Sequence, residues 1–198
     1  MPADPAAIVL AKPASQPHEG LPIGNGRMGT LVWTTPTALE LQINRVDVFA
    51  VNRNADSHHF SRGETTNDYC SACARVRIEF GDECLAAGPH FRQALSLAAA
   101  RCTVGGSGVR AECWVAAADD ALVAIVTDDR ETPRPIDIIL SMWRAPEVRR
   151  GAHTASYAFA HTAARASVVQ TFTERDHYCS SAVAVACPDA NREVIADG

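Results

Sequence analysis

The sequence predicts an all-β chain: an antiparallel super-sandwich of two packed sheets with few short helices. Three observations lead there. Apolar and polar residues alternate with period two along many stretches, which is the pattern of half-buried strands. Gly-, Pro- and Asp-rich breaks separate those stretches. The candidate strands after residue 70 also follow one another at short spacing, which favours hairpins over βαβ units.

Each element follows from its residues. Leu39, Leu41 and Ile43 alternate with Glu40 and Gln42, so the first set is expected to face a core and the second water. Val76, Ile78 and Phe80 alternate in the same way with Arg75, Arg77 and Glu79. Residues 102–104 and 109–115 flank Gly105-Gly106-Ser107-Gly108, a hairpin signal with a loop longer than two residues. In the second of these runs Val109, Ala111, Cys113 and Val115 alternate with Arg110, Glu112 and Trp114. Residues 121–127 and 136–140 are short apolar runs suited to central strands, and 167–173 and 181–187 are further strand candidates. This stretch has two readings: a helix over 91–100 on Ala and Leu propensity, or an extended segment over 92–97 leading into the hairpin.

A length of 198 residues suits one domain or at most two small ones. The expected layout is a flexible lead-in over 1–16 and a sandwich over 17–198, whose last residues read as cut from a longer chain. Eighteen basic against 23 acidic residues give a net charge of −5, which gives no support to a nucleic-acid partner. No apolar run approaches the roughly 20 residues of a membrane span, so no membrane partner is expected. Residues 1–13 carry no basic region ahead of their short apolar patch and do not read as a signal peptide. The compartment stays open. Seven cysteines, an odd number with no repeated spacing, suggest buried thiols rather than a disulfide framework.

The densest local signal is Leu21-Pro22-Ile23-Gly24-Asn25-Gly26-Arg27-Met28-Gly29. Gly24, Gly26 and Gly29 fit a dinucleotide fingerprint, but a strand follows where that motif needs a helix. The reading is therefore a structural turn and ligand-facing loop, with Asn25-Gly26 suited to a type I′ turn. His18 and Glu19 are adjacent, so in an extended chain they point apart and do not form an acid–base pair. Cys70-Ser71-Ala72-Cys73, with His58 and His59 upstream, has metal-knuckle spacing but lacks a second pair. A redox role would place the motif at a helix start, whereas a strand follows. No metal and no cofactor are expected.

Asn44, Arg45 and Asp47 follow a strand, and Asp47 can accept from Arg45 or from a ligand hydroxyl. Trp33 and the pair Trp143-Arg144 are the aromatic candidates, either core residues or exposed platforms for a sugar ring. Glycoside hydrolysis needs two carboxylates across a cleft, and no convincing pair is framed here; no catalytic residue is assigned.

Gly20-Leu-Pro-Ile-Gly-Asn-Gly-Arg-Met-Gly29, with Leu31-Val32-Trp33, resembles the opening of the N-terminal β-sandwich domain of large bacterial glycoside hydrolases of the alpha-L-fucosidase type. It is most similar to the domain of unknown function DUF5703. The segment Leu41–Phe49 resembles the family's strand and Asn-x-x-Asp stretch, and Ser141-Met-Trp-Arg144 resembles its strand-closing Trp-Arg. The resemblance runs from about residue 17 to 187. Arg45 and Phe49 stand where the fucosidase type carries an acid and a Trp, so fucose specificity does not transfer. The resemblance implies a non-catalytic domain packed on an (α/α)6 catalytic domain, with carbohydrate as the eventual partner. It also puts Asn25, Arg27, Asn44 and Asp47 near that junction, and it suggests export. A stand-alone carbohydrate-binding module and a self-contained hydrolase are the alternatives.

Overall fold

The computed structural model describes residues 6–49, 72–150 and 153–188. Its strands, in chain order, are β1 (Ala7–Leu10), β2 (Leu21–Gly24), β3 (Met28–Thr34), β4 (Ala38–Arg45), β5 (Ala72–Glu79), β6 (Arg92–Ser96), β7 (Arg101–Gly105), β8 (Val109–Val115), β9 (Leu122–Asp128), β10 (Asp137–Ser141), β11 (Glu147–Arg150), β12 (His153–Thr162), β13 (Arg165–Glu174) and β14 (His177–Ala186). Among the described residues a 3-10 turn, Pro17–Glu19, accompanies them. No helix among the described residues is long and apolar enough to cross a membrane.

The all-β sandwich is thus present, built from three sheets rather than two: β1-β6-β7-β8-β9, β10-β5-β4-β3-β2 and β11-β12-β13-β14. The chain also divides into two compact units. The first holds 1–43 and 75–139, the second 44–74 and 140–198. Strands β4, β5 and β10 each begin in one unit and end in the other.

In the first unit the alternation of β5 and β8 is realised. Val76, Ile78, Phe80, Val109, Ala111 and Cys113 are buried, while Arg75, Arg77, Arg110 and Glu112 are half-buried or exposed. These residues close on Val32, Leu39, Leu41, Leu85, Cys102 and Val104 to make an apolar core. Gln93 of β6 lies inside it with no exposed surface, and its Nε2 donates to the Val32 carbonyl of β3 at 2.8 Å. That bond fastens one sheet of the unit to the other.

Several expectations are corrected here. Residues 7–10, placed in the flexible lead-in, form β1 and pair antiparallel with β6, because Ala7-Ile8-Val9-Leu10 is a β-favouring run beside an open edge. The helical reading of 91–100 gives way to β6, whose register is fixed by pairing with β7. Glu40 was expected in water but is buried. Arg77 of β5 donates to its Oε1 at 2.7 Å and also pairs with Glu79, so the charge keeps a partner. The runs at 121–127 and 136–140 become β9 and β10, which are edge rather than central strands, and Ile125, Ile138 and Ile139 are exposed.

In the second unit β12, β13 and β14 are long and pair in antiparallel register through ten residues each. Gln170 sits at the middle of this sheet, opposite Tyr157 on one side and Ser181 on the other. It is almost fully buried; its Nε2 donates to the Ala72 carbonyl at 3.0 Å and to Ser181 Oγ at 2.8 Å. Phe172 and Val168 flank it on the same face and are equally buried.

Candidate functional site

Three hairpin tips meet at one rim of the first unit. The β2–β3 tip is built by Gly24-Asn25-Gly26-Arg27. Asn25 N donates to the Met28 carbonyl at 3.0 Å, and Asn25 Oδ1 accepts from Arg27 N and Met28 N, each at 2.9 Å. Gly26 has φ +90°, and Asn25 and Arg27 do not share a positive φ. The turn therefore has the sign pattern of type II′ rather than the expected I′, with glycine at the first central position. A Cβ at Gly24 would stand 2.8 Å from the Met28 carbonyl, so this approach of the two strands also needs glycine.

The same Asn25 ties the first tip to the second, the β8–β9 connection. Its Nδ2 donates to the carbonyls of Ala116 (2.9 Å) and Asp119 (3.1 Å). Arg27 reinforces the tie, donating to the Ala118 carbonyl at 3.3 Å and pairing with Asp120 at 3.0 Å. The third tip joins β6 to β7. There Ala99 N donates to Ser96 Oγ at 3.1 Å, and Ala100 takes a left-handed φ of 49°. Between the tips lies an open depression of about 360 Å³, lined by Gly24, Asn25, residues 99–101 and residues 114–117.

Trp114 of β8 faces this depression together with Arg101 of β7, its direct partner across the two strands. The Arg101 guanidinium stands 4.5 Å from the indole centroid, the geometry of a cation–π contact. Arg101 Nη1 donates to Glu112 Oε2 at 2.8 Å, and Arg110 pairs with the other oxygen of Glu112. The sequence reading passed over Trp114, although a signal was available. It occupies the outward position of a strand whose alternate residues fill the core.

The expected site residues divide between the units. Asn25 and Arg27 come together on the rim, with the Asn25 amide already saturated by backbone groups. Of the two readings of Trp33, core residue or exposed platform, the structure gives the core. It is 6% exposed in β3, between two other buried residues, and the Arg75 guanidinium stands 5.8 Å from its ring centroid. A strand covered on both faces leaves no platform for a sugar.

Asn44, Asp47, Trp143 and Arg144 belong to the second unit. Arg45 grips Asp47 with two bonds, Nε to Oδ1 at 2.8 Å and Nη2 to Oδ2 at 2.7 Å. The carboxylate thus fixes its own loop. Cys179 Sγ donates to the Asp47 carbonyl at 3.8 Å, and His177 stacks on Phe49. Asn44 is half-buried at the end of β4. Arg144 Nη2 donates to Gln170 Oε1 at 3.0 Å, and its carbonyl accepts from the Tyr157 hydroxyl at 3.1 Å. That makes Arg144 part of the interior network. Trp143 beside it is 40% exposed.

The remaining motifs serve structure. Glu19 accepts from Ser15 N, Ser15 Oγ and Gln16 N, and these bonds hold its carboxyl below the usual range. His58, His59 and Cys70 lie outside the described residues. Cys73 is buried, and burial pushes its thiol up. Cys84 and Cys102 are pushed up to about 11 and Cys113 to about 12, in each case chiefly by burial. Such thiols are poor nucleophiles and poor metal ligands. Among the described residues no group of three or more His, Cys, Asp or Glu is arranged to hold a metal ion.

Fold and rim together define an antiparallel β-sandwich protein with interlocked hairpin tips. The sequence model of the N-terminal domain of unknown function DUF5703 matches residues 9–197, and the chain belongs to that family. No curated protein matches the chain.

Proposed function

We propose that the chain is a non-catalytic β-sandwich domain of a glycoside-hydrolase-like protein. It docks through the rim of its first unit on a helical catalytic domain and helps shape the carbohydrate cleft there. The observation that carries this reading is the tying of the hairpin tips by Asn25 and Arg27. Loops held by side chains that are already saturated present a fixed shape, and a fixed shape lowers the ordering cost of association. The tips also expose Ala98, Ala99, Ala100, Ala117 and Ala118, small residues that let another backbone come close. The resemblance of residues 20–29 and 141–144 to glycoside-hydrolase N-terminal domains supplies the carbohydrate context.

A self-contained hydrolase would need a carboxyl with a raised pKa as general acid. The described carboxyls that shift, Glu19, Glu79 and Asp128, shift downward under hydrogen bonds and arginine partners. The stand-alone binding-module reading rests on Trp143, the exposed aromatic of the second unit.

The test starts with the coding sequence after Gly198. A helical domain encoded there, expressed separately, is expected to co-purify with this chain and to lose that association with Ala117→Arg. A stop codon directly after Gly198, or co-purification indifferent to Ala117→Arg, overturns the proposal.

A further inference from the structure

The outer face of the second unit's four-stranded sheet serves neither the interior network around Gln170 nor rim docking. We propose that this face binds a neutral oligosaccharide laid across β11, β12 and β13, with Tyr178 of β14 at its end. This inference rests on the carbohydrate reading above and deepens it by giving the chain a sugar contact of its own and naming the sugar class.

Strand register places the site. Arg149, Thr154, Thr173 and Tyr178 stand opposite one another on successive strands, and Glu147, Ser156, Thr171 and Ser180 form a second row on the same face. The row between them, Val148, Ala155 and Phe172, belongs to the other face, where Ala155 and Phe172 are buried. Backbone therefore forms the floor of an open trough of about 490 Å³ along β11, β12 and β13. That volume lies within the range of small-ligand sites. Three strand spacings of about 4.8 Å put the backbone of β14 roughly 14 Å from that of β11, room for more than one sugar ring.

The groups offered along the trough match hydroxyls. Glu147 and Arg149 are exposed, and neither side chain has a hydrogen-bond or ion-pair partner among the described residues. One supplies acceptors and the other donors, the two functions that a pair of sugar hydroxyls takes up. Their charges cancel, so the trough favours a neutral ligand. Thr154 bonds Thr173, and Ser156 bonds Thr171. A hydroxyl has one donor and two acceptor sites, so each pair keeps capacity for a ligand. Tyr178 is 64% exposed, and its hydroxyl has no partner among the described residues. Its ring offers an apolar plane to the C–H side of a sugar.

The face is also ordered in advance. Along β12, β13 and β14 it carries one charged residue, Arg165, and otherwise Thr, Ser, Ala, Val169 and Tyr178. A surface made for water alone carries about a quarter to a third charged residues. Short side chains lose little rotamer freedom when covered, which keeps the ordering cost of binding low.

Isothermal titration of the full chain with xylohexaose, cellohexaose and mannohexaose tests this, with trigalacturonate as the charged control. At least one neutral hexaose is expected to bind at least tenfold tighter than trigalacturonate, with an affinity that does not change as salt rises. Tyr178→Ala should weaken that binding at least tenfold, and Glu147→Gln and Arg149→Gln should each weaken it severalfold, while Trp143→Ala leaves it unchanged. All three substituted side chains are exposed, so the variants keep the fold, which circular dichroism checks. No binding of any hexaose, trigalacturonate binding as tight as the neutral sugars, or binding that survives Tyr178→Ala and is lost with Trp143→Ala overturns the proposal. No hexaose binding with co-purification of the helical domain intact removes this inference alone; hexaose binding without co-purification removes rim docking and leaves this site standing.

Discussion

At the centre of the first unit Phe80, Leu39, Leu85 and Val104 are closed off from solvent, with Gln93 as a polar pin between sheets. At the centre of the second unit a polar junction takes that place. Gln170 links Arg144, Ser181 and the Ala72 carbonyl, with Phe172 and Val168 packed around it. The contrast teaches what each half tolerates. The first unit depends on volume, since interior atoms there have only dispersion and burial to hold them. The second depends on completeness of its hydrogen bonds, since removing one member strands the others.

The largest effect follows from volume. Phe80→Ala in the first unit should lower unfolding free energy by about 3–5 kcal/mol in urea denaturation. A loss no larger than that of a surface substitution would remove Phe80 from the core.

The two buried glutamines sharpen the comparison. Gln170→Leu removes the bonds to Arg144, Ser181 and the Ala72 carbonyl from a buried site, and should destabilise by about 1–3 kcal/mol. Gln93→Leu removes the bond to the Val32 carbonyl and a weak one to Cys102 Sγ, and also removes the Gln93 Oε1, which is itself buried without a partner. It should cost less than Gln170→Leu in the same urea titration. The reverse order would mean that the two interiors are held alike.

Alkaline pH acts on the first unit through Cys102 and Cys113. Their thiols rise from an ordinary value of 9.0 to about 11 and about 12. The folded state holds these protons longer than the unfolded chain does. The stabilisation is whole below pH 9 and drains away as pH climbs toward 11 and 12, by about 1 kcal/mol per thiol at pH 10. Denaturation midpoints from pH 8 to 10.5 should therefore fall in the native chain and fall less in a Cys102→Val, Cys113→Val variant.

The smallest effects lie on the rim. Asn25→Ala removes the bonds joining two tips and should cost about 1 kcal/mol or more. Arg27→Ala removes a largely exposed ion pair and should cost about 0.5 kcal/mol or less. Equal costs in thermal unfolding would mean that Asn25 does not carry the tie.

The strands of the core were legible because β5 and β8 alternate large apolar residues with charged ones. Strand β12 was not. His153-Thr-Ala-Ser-Tyr-Ala-Phe-Ala-His-Thr162 sets small residues on one face against aromatic and polar ones on the other, so the hydropathy contrast is weak. Glu40 looked solvated because its partner Arg77 arrives from a strand 37 residues on. The glycine-rich tip was recognised as a loop, but its tie to residues 116–120 spans 91 to 94 positions and leaves no local mark. Of the two tryptophans that the sequence left open between core and surface, Trp33 is buried and Trp143 is 40% exposed. Trp114 is marked as outward-facing by its phase in β8.

The most direct measurement is co-purification of this chain with a separately expressed helical domain encoded after it. The account predicts an association that Ala117→Arg abolishes and Trp143→Ala leaves intact. Association that survives Ala117→Arg, or that is lost with Trp143→Ala, would contradict it.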